Sequence, residues 1–227
     1  MPRWQRNGTI SQGRGKGMTA IEQILAKKVV AVIRLDDYTR AVEVARALAT
    51  GGVTVMEFTL TSQGAMEAIT ATRKALGDAV CVGVGTVLTS EDAEAAIDAG
   101  AQFAVTPAIR RQVITTCVKR NTLILCGGFT PSELLEAHEA GAELVKVFPA
   151  QLGGPKFIKD VLAPLPFLKL VPTGGVSAEN ARDYLAAGAV AVGIGGNLVS
   201  NKLVAAEAFD QITATARACM DAIHAQG

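Results

Sequence analysis

Two charged side chains of this 227-residue chain lie within apolar, β-branched stretches of sequence. Lys146 lies in the run over residues 142–149, and Glu57 lies in the run over residues 53–60. Such a run predicts a buried strand, where an ammonium or a carboxylate is costly unless it is paired or used in chemistry. A lysine and a glutamate embedded in core strands therefore indicate either a structural ion pair or a nucleophilic amine with its proton shuttle.

Eight apolar runs of this kind alternate with amphipathic patterns typical of helices. Because the runs are apolar on both faces, they predict parallel strands covered by helices. Eight strand–helix units within about 200 residues favour a closed (β/α)8 TIM barrel over a doubly wound sheet. An amphipathic pattern over residues 18–28 predicts an additional N-terminal capping helix. The predicted strands are residues 29–34, 53–60, 80–87, 103–107, 123–127, 142–149, 168–173 and 189–194.

In a barrel of this kind the active site lies at the C-terminal ends of the strands. Functional side chains are predicted at these ends, because Arg34 ends the first strand, Thr86 lies late in the third and Pro107 ends the fourth. With Lys146 and Glu57, they would place an amine, a carboxylate, a guanidinium and a hydroxyl around one apolar mouth. A purely structural role explains such a collection poorly, so we expect this mouth to be the active site.

Glycine-rich segments follow the predicted seventh and eighth strands, at residues 173–177 and 193–197. Barrels of this class often bind phosphate between these two loops, because glycines let backbone N–H groups approach an anion. Neither segment has the spacing of a Rossmann or P-loop motif, and the alternative is that the glycines only form tight turns. The residues expected to bind the phosphate are Gly174, Gly175, Gly195 and Gly196.

Charge and cysteine usage exclude several classes of function. The formal net charge of +1 at pH 7 argues against a nucleic-acid partner. No apolar stretch reaches the roughly 18 residues that indicate a membrane span. The four cysteines form no CxxC pair, which favours a reducing, cytoplasmic location. With two histidines, neither of them beside a Ser or Asp companion, we expect no metal site, no catalytic triad and no cofactor.

Residues 1–17 differ in composition from the remainder of the chain. They are polar and glycine-rich, and they lack the apolar core of a secretory signal. We expect this segment to be a disordered tail, a vector remnant or an upstream start. The amphipathic pattern begins at Met18, so residues 18–227 are predicted to form a single (β/α)8 domain.

Together, these residues resemble the KDPG/KHG aldolase family, that is, the 2-dehydro-3-deoxy-6-phosphogluconate and 4-hydroxy-2-oxoglutarate aldolases. The resemblance implies a class I aldolase that forms a homotrimer of (β/α)8 barrels and uses no metal. It also implies that Lys146 is the Schiff-base lysine and that Glu57 is the acid–base residue. The matching motifs are VMEFTL (55–60), GVGTV (83–87), VTP (105–107), TPSE (130–133), VKVFP (145–149) and PTGG (172–175).

The resemblance also implies roles for the other residues around the mouth. Arg34 and Thr86 match positions near the carboxylate of pyruvate, whereas Pro107 and Phe148 match the walls of the pocket. Thr173, within the PTGG motif, is expected to contact the substrate. The positions of the family's phosphate loop match Gly174, Gly175 and Gly196.

Two departures from the family pattern bear on the substrate. Some members carry an arginine after the leucine of the glutamate strand, where this chain has Thr61, so the carboxylate clamp would fall to Arg34 and Thr86. Many members carry a serine in the loop after the eighth strand, where this chain has Gly196 and Asn197. The missing hydroxyl weakens the expected hold on the phosphate, and it leaves open a galactonate-configured substrate.

The expected function is reversible cleavage of 2-dehydro-3-deoxy-6-phosphogluconate to pyruvate and glyceraldehyde 3-phosphate, a step of the Entner–Doudoroff pathway. Cleavage of 4-hydroxy-2-oxoglutarate to pyruvate and glyoxylate is a related activity. The alternatives are the galactonate aldolase and a non-catalytic, aldolase-like barrel that serves as an oligomeric scaffold or sugar-phosphate sensor. Retention of both Lys146 and Glu57 argues against the non-catalytic alternative. A phosphate-binding isomerase or synthase on a similar barrel would need neither residue.

Overall fold

Eight parallel strands form one sheet in the computed structural model, which describes residues 17–225. They are β1 (Val29–Ile33), β2 (Val55–Thr59), β3 (Cys81–Gly85), β4 (Phe103–Val105), β5 (Leu123–Gly128), β6 (Leu144–Val147), β7 (Leu170–Pro172) and β8 (Val192–Ile194). Strands β1 to β7 pair in sequence order, and β8 pairs with β1. A parallel bridge between Thr173 and Gly193 joins the two remaining edges. The prediction of a (β/α)8 barrel is therefore confirmed.

Helices alternate with the strands throughout residues 17–225. They are α1 (Ala20–Lys27), α2 (Ala41–Thr50), α3 (Ala65–Leu76), α4 (Ser90–Asp98), α5 (Arg111–Lys119), α6 (Pro131–Glu139), α7 (Gly154–Leu162), α8 (Ala181–Ala186), α9 (Asn201–Ala205) and α10 (Phe209–His224). The helical pattern expected after β8 is thus divided into a short α9 and a long α10, which the sequence did not indicate. The expected tail lies, apart from Gly17, outside the described residues, and the assignment of residues 18–227 to one domain stays a prediction.

Helix α1 covers the N-terminal end of the barrel, as predicted. Its Ile24 is fully buried in the same interior cluster as Val55 of β2 and Leu144 of β6. The helix begins with a capping box, in which the Glu22 amide donates to the Thr19 hydroxyl and the Thr19 amide donates to the Glu22 carboxylate. The opposite end of the barrel, where the strands end, is left for the polar residues.

Most strands are shorter than the apolar runs that predicted them, whereas β5, which ends at Gly128, is one residue longer. Strand β2 spans Val55–Thr59 rather than residues 53–60, and β8 begins at Val192. The predicted start of β8 was Ala189, which is buried although it precedes the ladder, because burial continues into the loops of a barrel. Arg34, which was expected to end the first strand, is instead the first residue after β1.

Glycines on the strands make room for groups of the neighbouring strand, either a side chain or the backbone just after the strand. A Cβ atom on Gly83 of β3 would lie 2.5 Å from the ring of Phe103, which is fully buried on β4. A Cβ atom on Gly127 of β5 would lie 2.4 Å from the carbonyl carbon of Pro107. Such short distances are not tolerated in a close-packed interior, so both positions require glycine. The barrel is thus packed by large groups that enter space left by a neighbouring glycine.

Gly83→Ala is expected to destabilise the protein, because the added methyl group would overlap the Phe103 ring. The expected decrease in the free energy of unfolding is about 1–3 kcal/mol, the usual cost of overpacking. Urea denaturation followed by circular dichroism measures this decrease. Gly196→Ala is the matched control, since a Cβ atom there has no neighbour within 4 Å. Equal losses in the two variants would contradict the packing argument.

Candidate active site

Lys146 lies on β6, one residue before the strand ends. It shares a face of the strand with the interior residue Leu144, and its register neighbours are Gly127 on β5 and Val171 on β7. The residue is 6% exposed, and its Nζ atom lies 5.2 Å from the centroid of the Phe148 ring. The prediction of a buried lysine in a core strand is confirmed.

Glu57 lies at the middle of β2, between Val32 of β1 and Gly83 of β3. It is 1% exposed, and its Oε2 atom has no hydrogen-bond partner within residues 17–225. A Cβ atom on Gly85 would lie 2.8 Å from the Glu57 Cδ atom, so glycine at this position leaves room for the carboxyl group. Because an unsatisfied buried oxygen is costly, its presence points to a functional role for Glu57.

The described structure does not contain the ion pair that the sequence left open as an alternative. The ion pairs within residues 17–225 join partly exposed side chains, and they include neither Lys146 nor Glu57. Two ionisable groups in one apolar interior, without direct pairing, lack the close hydrogen-bonded contact that a structural ion pair needs to offset its desolvation. The arrangement therefore favours a chemical use of the two groups over a structural one.

The electrostatic environment favours a neutral amine at Lys146. Burial lowers the pKa of Lys146 from its usual 10.5, the negative charge of Glu57 opposes this change, and the positive charge of Arg34 adds to it. Burial raises the pKa of Glu57 from its usual 4.5, and the positive charges of Lys146 and Arg34 oppose this change. Desolvation is the largest cause for both groups, because an apolar environment disfavours each charged form. An amine with a lowered pKa is an effective nucleophile near neutral pH.

A cavity of about 450 Å³ opens beside Lys146 at the C-terminal ends of the strands. Its walls come from the residues at or after the ends of β1, β6, β7 and β8. Most of the predicted site residues line it. These residues are Arg34, Lys146, Phe148, Thr173, Gly174, Gly175, Gly195 and Gly196. The structure therefore brings the predicted amine, guanidinium and glycine loops together around one opening.

Three predicted site residues do not line this cavity. Glu57 is fully buried in the middle of its strand. Pro107 follows β4, and its backbone lies against Gly127, the strand neighbour of Lys146. Thr86 follows β3 and is half-buried, with a φ of 60°, a left-handed conformation that a β-branched residue rarely adopts. Backbone strain of this kind concentrates at functional sites, so Thr86 stays a candidate.

The two glycine-rich loops form one side of the cavity. Gly174 and Gly175 have φ angles of 93° and 73°, a conformation that favours glycine. Their backbone N–H groups, like that of Gly196, donate to no acceptor within residues 17–225. The side-chain amide of Asn197 donates to the Val176 carbonyl oxygen at 3.0 Å and so ties one loop to the other. Unused backbone donors in adjacent loops are suited to binding an anion.

Part of the cavity wall was not predicted from the sequence. The lining residues without a predicted role are Val32, Val176, Gly193, Asn197, Val199, Ser200 and Asn201. Val32 could have been identified, because it lies two residues after the interior residue Val30 and therefore on the same face of β1. Asn201 could not, because its Oδ1 atom accepts a hydrogen bond from the Asp36 amide at 2.9 Å, a contact between the first and last parts of the barrel.

The described residues offer little for other kinds of site. Within residues 17–225, no group of three or more His, Cys, Asp or Glu residues could hold a metal ion, and no helix has the length and apolar character needed to cross a membrane. Burial raises the pKa of Cys81 to about 12 and the pKa values of Cys117 and Cys219 to about 11. These thiols therefore stay protonated and act as packing residues.

The chain is similar to known proteins along most of its length. The family model for KDPG and KHG aldolase matches residues 21–215 of the chain. The 2-dehydro-3-deoxy-phosphogluconate aldolase of Treponema pallidum is 38% identical over 198 residues, which cover 87% of this chain and 94% of that protein. The matched region therefore contains every residue of the candidate site.

Two solved structures are similar to the chain along most of its length. A KDPG aldolase from Legionella pneumophila, with pyruvate captured at low pH as a covalent carbinolamine intermediate, has a TM-score of 0.82 and 28% identity. That comparison covers 89% of this chain and 98% of the Legionella chain. A native KDPGal structure has a TM-score of 0.80 and 31% identity, with coverage of 86% and 93%.

The pKa of Lys146 is expected to respond in opposite directions to the loss of two charges. Glu57→Gln removes a negative charge that raises this pKa, so the pKa should fall further. Arg34→Met removes a positive charge that lowers it, so the pKa should rise. The pH dependence of Lys146 modification by an amine reagent, followed by mass spectrometry, measures both changes. Lys156, which is exposed, is the control for the reactivity of the reagent. A change of the Lys146 pKa in the same direction in both variants would contradict the roles given to Glu57 and Arg34.

Proposed function

The chain belongs to the KDPG and KHG aldolase family, and we propose that it cleaves 2-dehydro-3-deoxy-6-phosphogluconate reversibly to pyruvate and glyceraldehyde 3-phosphate. It is thus a lyase. The observation that carries the proposal is the pair of buried, unpaired groups on β6 and β2, Lys146 and Glu57. A class I aldolase needs a neutral amine and a separate proton carrier in one apolar site. Cleavage of 4-hydroxy-2-oxoglutarate would use the same two groups.

Lys146 is the nucleophile in this proposal. Its neutral Nζ attacks the C2 ketone carbon of the substrate, and the resulting carbinolamine, once its hydroxyl has taken up a proton from solvent, loses water to give an iminium ion. The lowered pKa of Lys146 supplies the neutral amine that the attack requires. The Phe148 ring, whose centroid lies 5.2 Å from Nζ, can stabilise the cationic iminium that follows.

Glu57 carries the proton in both directions. As a carboxylate, it takes the C4 hydroxyl proton, directly or through one water molecule, while the C3–C4 bond breaks and its electron pair moves to the iminium to form an enamine. Glyceraldehyde 3-phosphate leaves, and Glu57 returns the proton to C3. Water then hydrolyses the imine, which releases pyruvate and restores Lys146. A raised pKa suits a group that must accept and return a proton near neutral pH.

Arg34 and Thr86 are proposed to bind the carboxylate of the substrate. Some family members carry an arginine where this chain has Thr61, whose Oγ1 atom lies 2.8 Å from Thr59 Oγ1. Arg34 is exposed at the cavity that Lys146 lines, so its guanidinium is available for a bidentate contact with a carboxylate. The residues proposed to complete the substrate pocket are Pro107, Phe148 and Thr173.

The phosphate group is proposed to bind between the two glycine loops, at Gly174, Gly175, Gly195 and Gly196. The support for this site is the set of unused backbone N–H groups in these loops, next to the cavity. Backbone donors need no positive side chain, because several N–H dipoles aimed at one point stabilise an anion. The remote phosphate would then contribute binding energy that orients the keto group toward Lys146.

A galactonate-configured substrate is the second candidate, because a native KDPGal structure is among those that resemble this chain. Both substrates would use Lys146 and Glu57, and they differ only in configuration at C4, so a comparison of kcat/KM on the two sugar acids decides between them.

We further propose a cytoplasmic homotrimer, as the family resemblance implies. A non-catalytic scaffold is disfavoured, because it would have no use for two buried ionisable groups without an ion-pair partner.

Treatment with pyruvate and then borohydride is expected to add one reduced pyruvyl group at Lys146. Glu57→Gln should still be labelled, because imine formation needs the amine, but it should turn over about 10²- to 10⁴-fold more slowly. Peptide mass spectrometry locates the label, and a coupled assay measures turnover. Lys156 and Lys159 are the internal controls, since both are exposed on α7. Labelling of those lysines in place of Lys146 would overturn the proposal.

Gly196→Ser is expected to increase the preference for the phosphorylated substrate over 4-hydroxy-2-oxoglutarate. The structure accommodates the change, because a Cβ atom on Gly196 has no neighbour within 4 Å. One hydrogen bond to a charged group is worth about 1.5–3 kcal/mol, so the ratio of the two kcat/KM values should rise at most roughly 10- to 100-fold. Steady-state kinetics on both substrates measure the ratio.

The matched control for this experiment is Gly196→Ala, which adds the same Cβ atom without a hydroxyl. It should leave the preference near that of the natural chain, and inorganic phosphate should inhibit all three proteins competitively. Equal efficiency of the natural chain on the two substrates, without inhibition by phosphate, would mean that the glycines only turn the chain.

A further inference from the structure

Tyr38 lies in the loop between β1 and α2 and is 6% exposed. Its ring packs edge-on against Phe58 of β2, with the ring centroids 5.5 Å apart and an interplanar angle of 88°. Phe58 is itself fully buried in the main hydrophobic core. This packing fixes the ring, and the phenol hydroxyl is thereby held at the C-terminal ends of the first two strands.

The Tyr38 hydroxyl joins the last residue of β1 to the last residue of β2. The Thr59 N–H donates to the hydroxyl oxygen at 3.1 Å. The hydroxyl lies 3.0 Å from the Ile33 carbonyl oxygen and 2.9 Å from the Thr59 carbonyl oxygen, and it can donate its proton to either. The Thr59 hydroxyl oxygen lies 3.2 Å from the Tyr38 hydroxyl oxygen. Burial raises the pKa of Tyr38, so the phenol keeps its proton near neutral pH.

The residue placed between these contacts is Arg34. It directly follows Ile33, whose carbonyl oxygen contacts the phenol, and the next residue, Leu35, is 2% exposed. Within residues 17–225, the Arg34 side chain has no hydrogen bond or ion pair of its own. The position and direction of its Cα–Cβ bond, from which the guanidinium reaches the cavity, are therefore set by its backbone.

We propose that Tyr38 is a positioning residue for carboxylate recognition, whose hydroxyl fixes the backbone of Arg34 against the end of β2. The proposal rests on the proposed function, in which Arg34 binds the carboxylate of the keto acid. Strand β2 is a suitable reference, because it also carries Glu57 and is buried along its whole length. Tyr38 itself touches no reacting atom, and it acts through Arg34.

The test is a double-mutant cycle of Tyr38→Phe and Arg34→Met, measured by borohydride labelling of Lys146 at increasing pyruvate concentration. Tyr38→Phe keeps the ring and removes the hydroxyl. It should raise the half-saturating pyruvate concentration about tenfold and change the maximal labelling rate less than about threefold, because the carboxylate contact is made before and during reaction. In the Arg34→Met background, the same substitution should change the half-saturating concentration less than about twofold.

Two controls separate positioning from general stability. Tyr184→Phe removes the hydroxyl of the other tyrosine in the chain, which is 3% exposed on α8, and it should leave pyruvate labelling unchanged. Acetone has the ketone of pyruvate without the carboxylate, so it should label the natural chain and Tyr38→Phe with the same concentration dependence. If Tyr38→Phe does not fold, 4-fluorophenylalanine at position 38, which keeps the ring and fills the place of the hydroxyl without a donor proton, replaces it in the same cycle.

The outcomes distinguish this inference from the proposed function. Failure of pyruvate to label Lys146 in the natural chain would overturn both. Normal labelling of the natural chain, together with an unchanged half-saturating concentration in Tyr38→Phe, would overturn only the role of Tyr38. An equal effect of Tyr38→Phe with and without Arg34 would also overturn that role, because the phenol would then not act through the guanidinium. The expected result is a tenfold rise in the half-saturating concentration of pyruvate, but not of acetone, when Tyr38→Phe is made in the protein that retains Arg34.

Discussion

The burial of an amine and a carboxylate inside one apolar barrel is the constraint on which the remaining structure depends. Lys146 and Glu57 are both almost fully buried, and neither takes part in the ion pairs of the described residues. The desolvation of such groups costs several kcal/mol in real proteins, which the extensive aliphatic core must offset. The same desolvation lowers the pKa of the amine, so the destabilising feature and the reactive one are the same.

Space for these groups is obtained from glycines on neighbouring strands. Gly85 leaves room for the Glu57 carboxyl group, and Gly127 lies beside Lys146 and allows the backbone at Pro107 to approach. A side chain at either position would overlap and displace the group that it contacts. The space left by the two glycines is therefore already filled by the carboxyl group and by the backbone of the neighbouring segment.

Much of this fold was predictable, because the signals that specify it are local. Apolar runs gave the eight strands, and the charges at Lys146 and Glu57 were conspicuous within them. Strand ends were less accurate, since burial in a barrel continues beyond the ladder, and Arg34 consequently lies one residue outside β1. The contacts of Tyr38 with Thr59 were not predictable, because they join residues 21 positions apart and depend on the register of β1 with β2.

The closure of the sheet at Thr173 and Gly193 has a consequence for the mechanics of the barrel. Strands β2 and β3 are paired at five positions, whereas one bridge and the hydrogen bond from Val190 to Leu170 connect β7 with β8. This seam lies directly beneath the two glycine loops. An anion held by both loops would link the two strands at this join of the barrel, so occupied protein should resist opening there more than empty protein does.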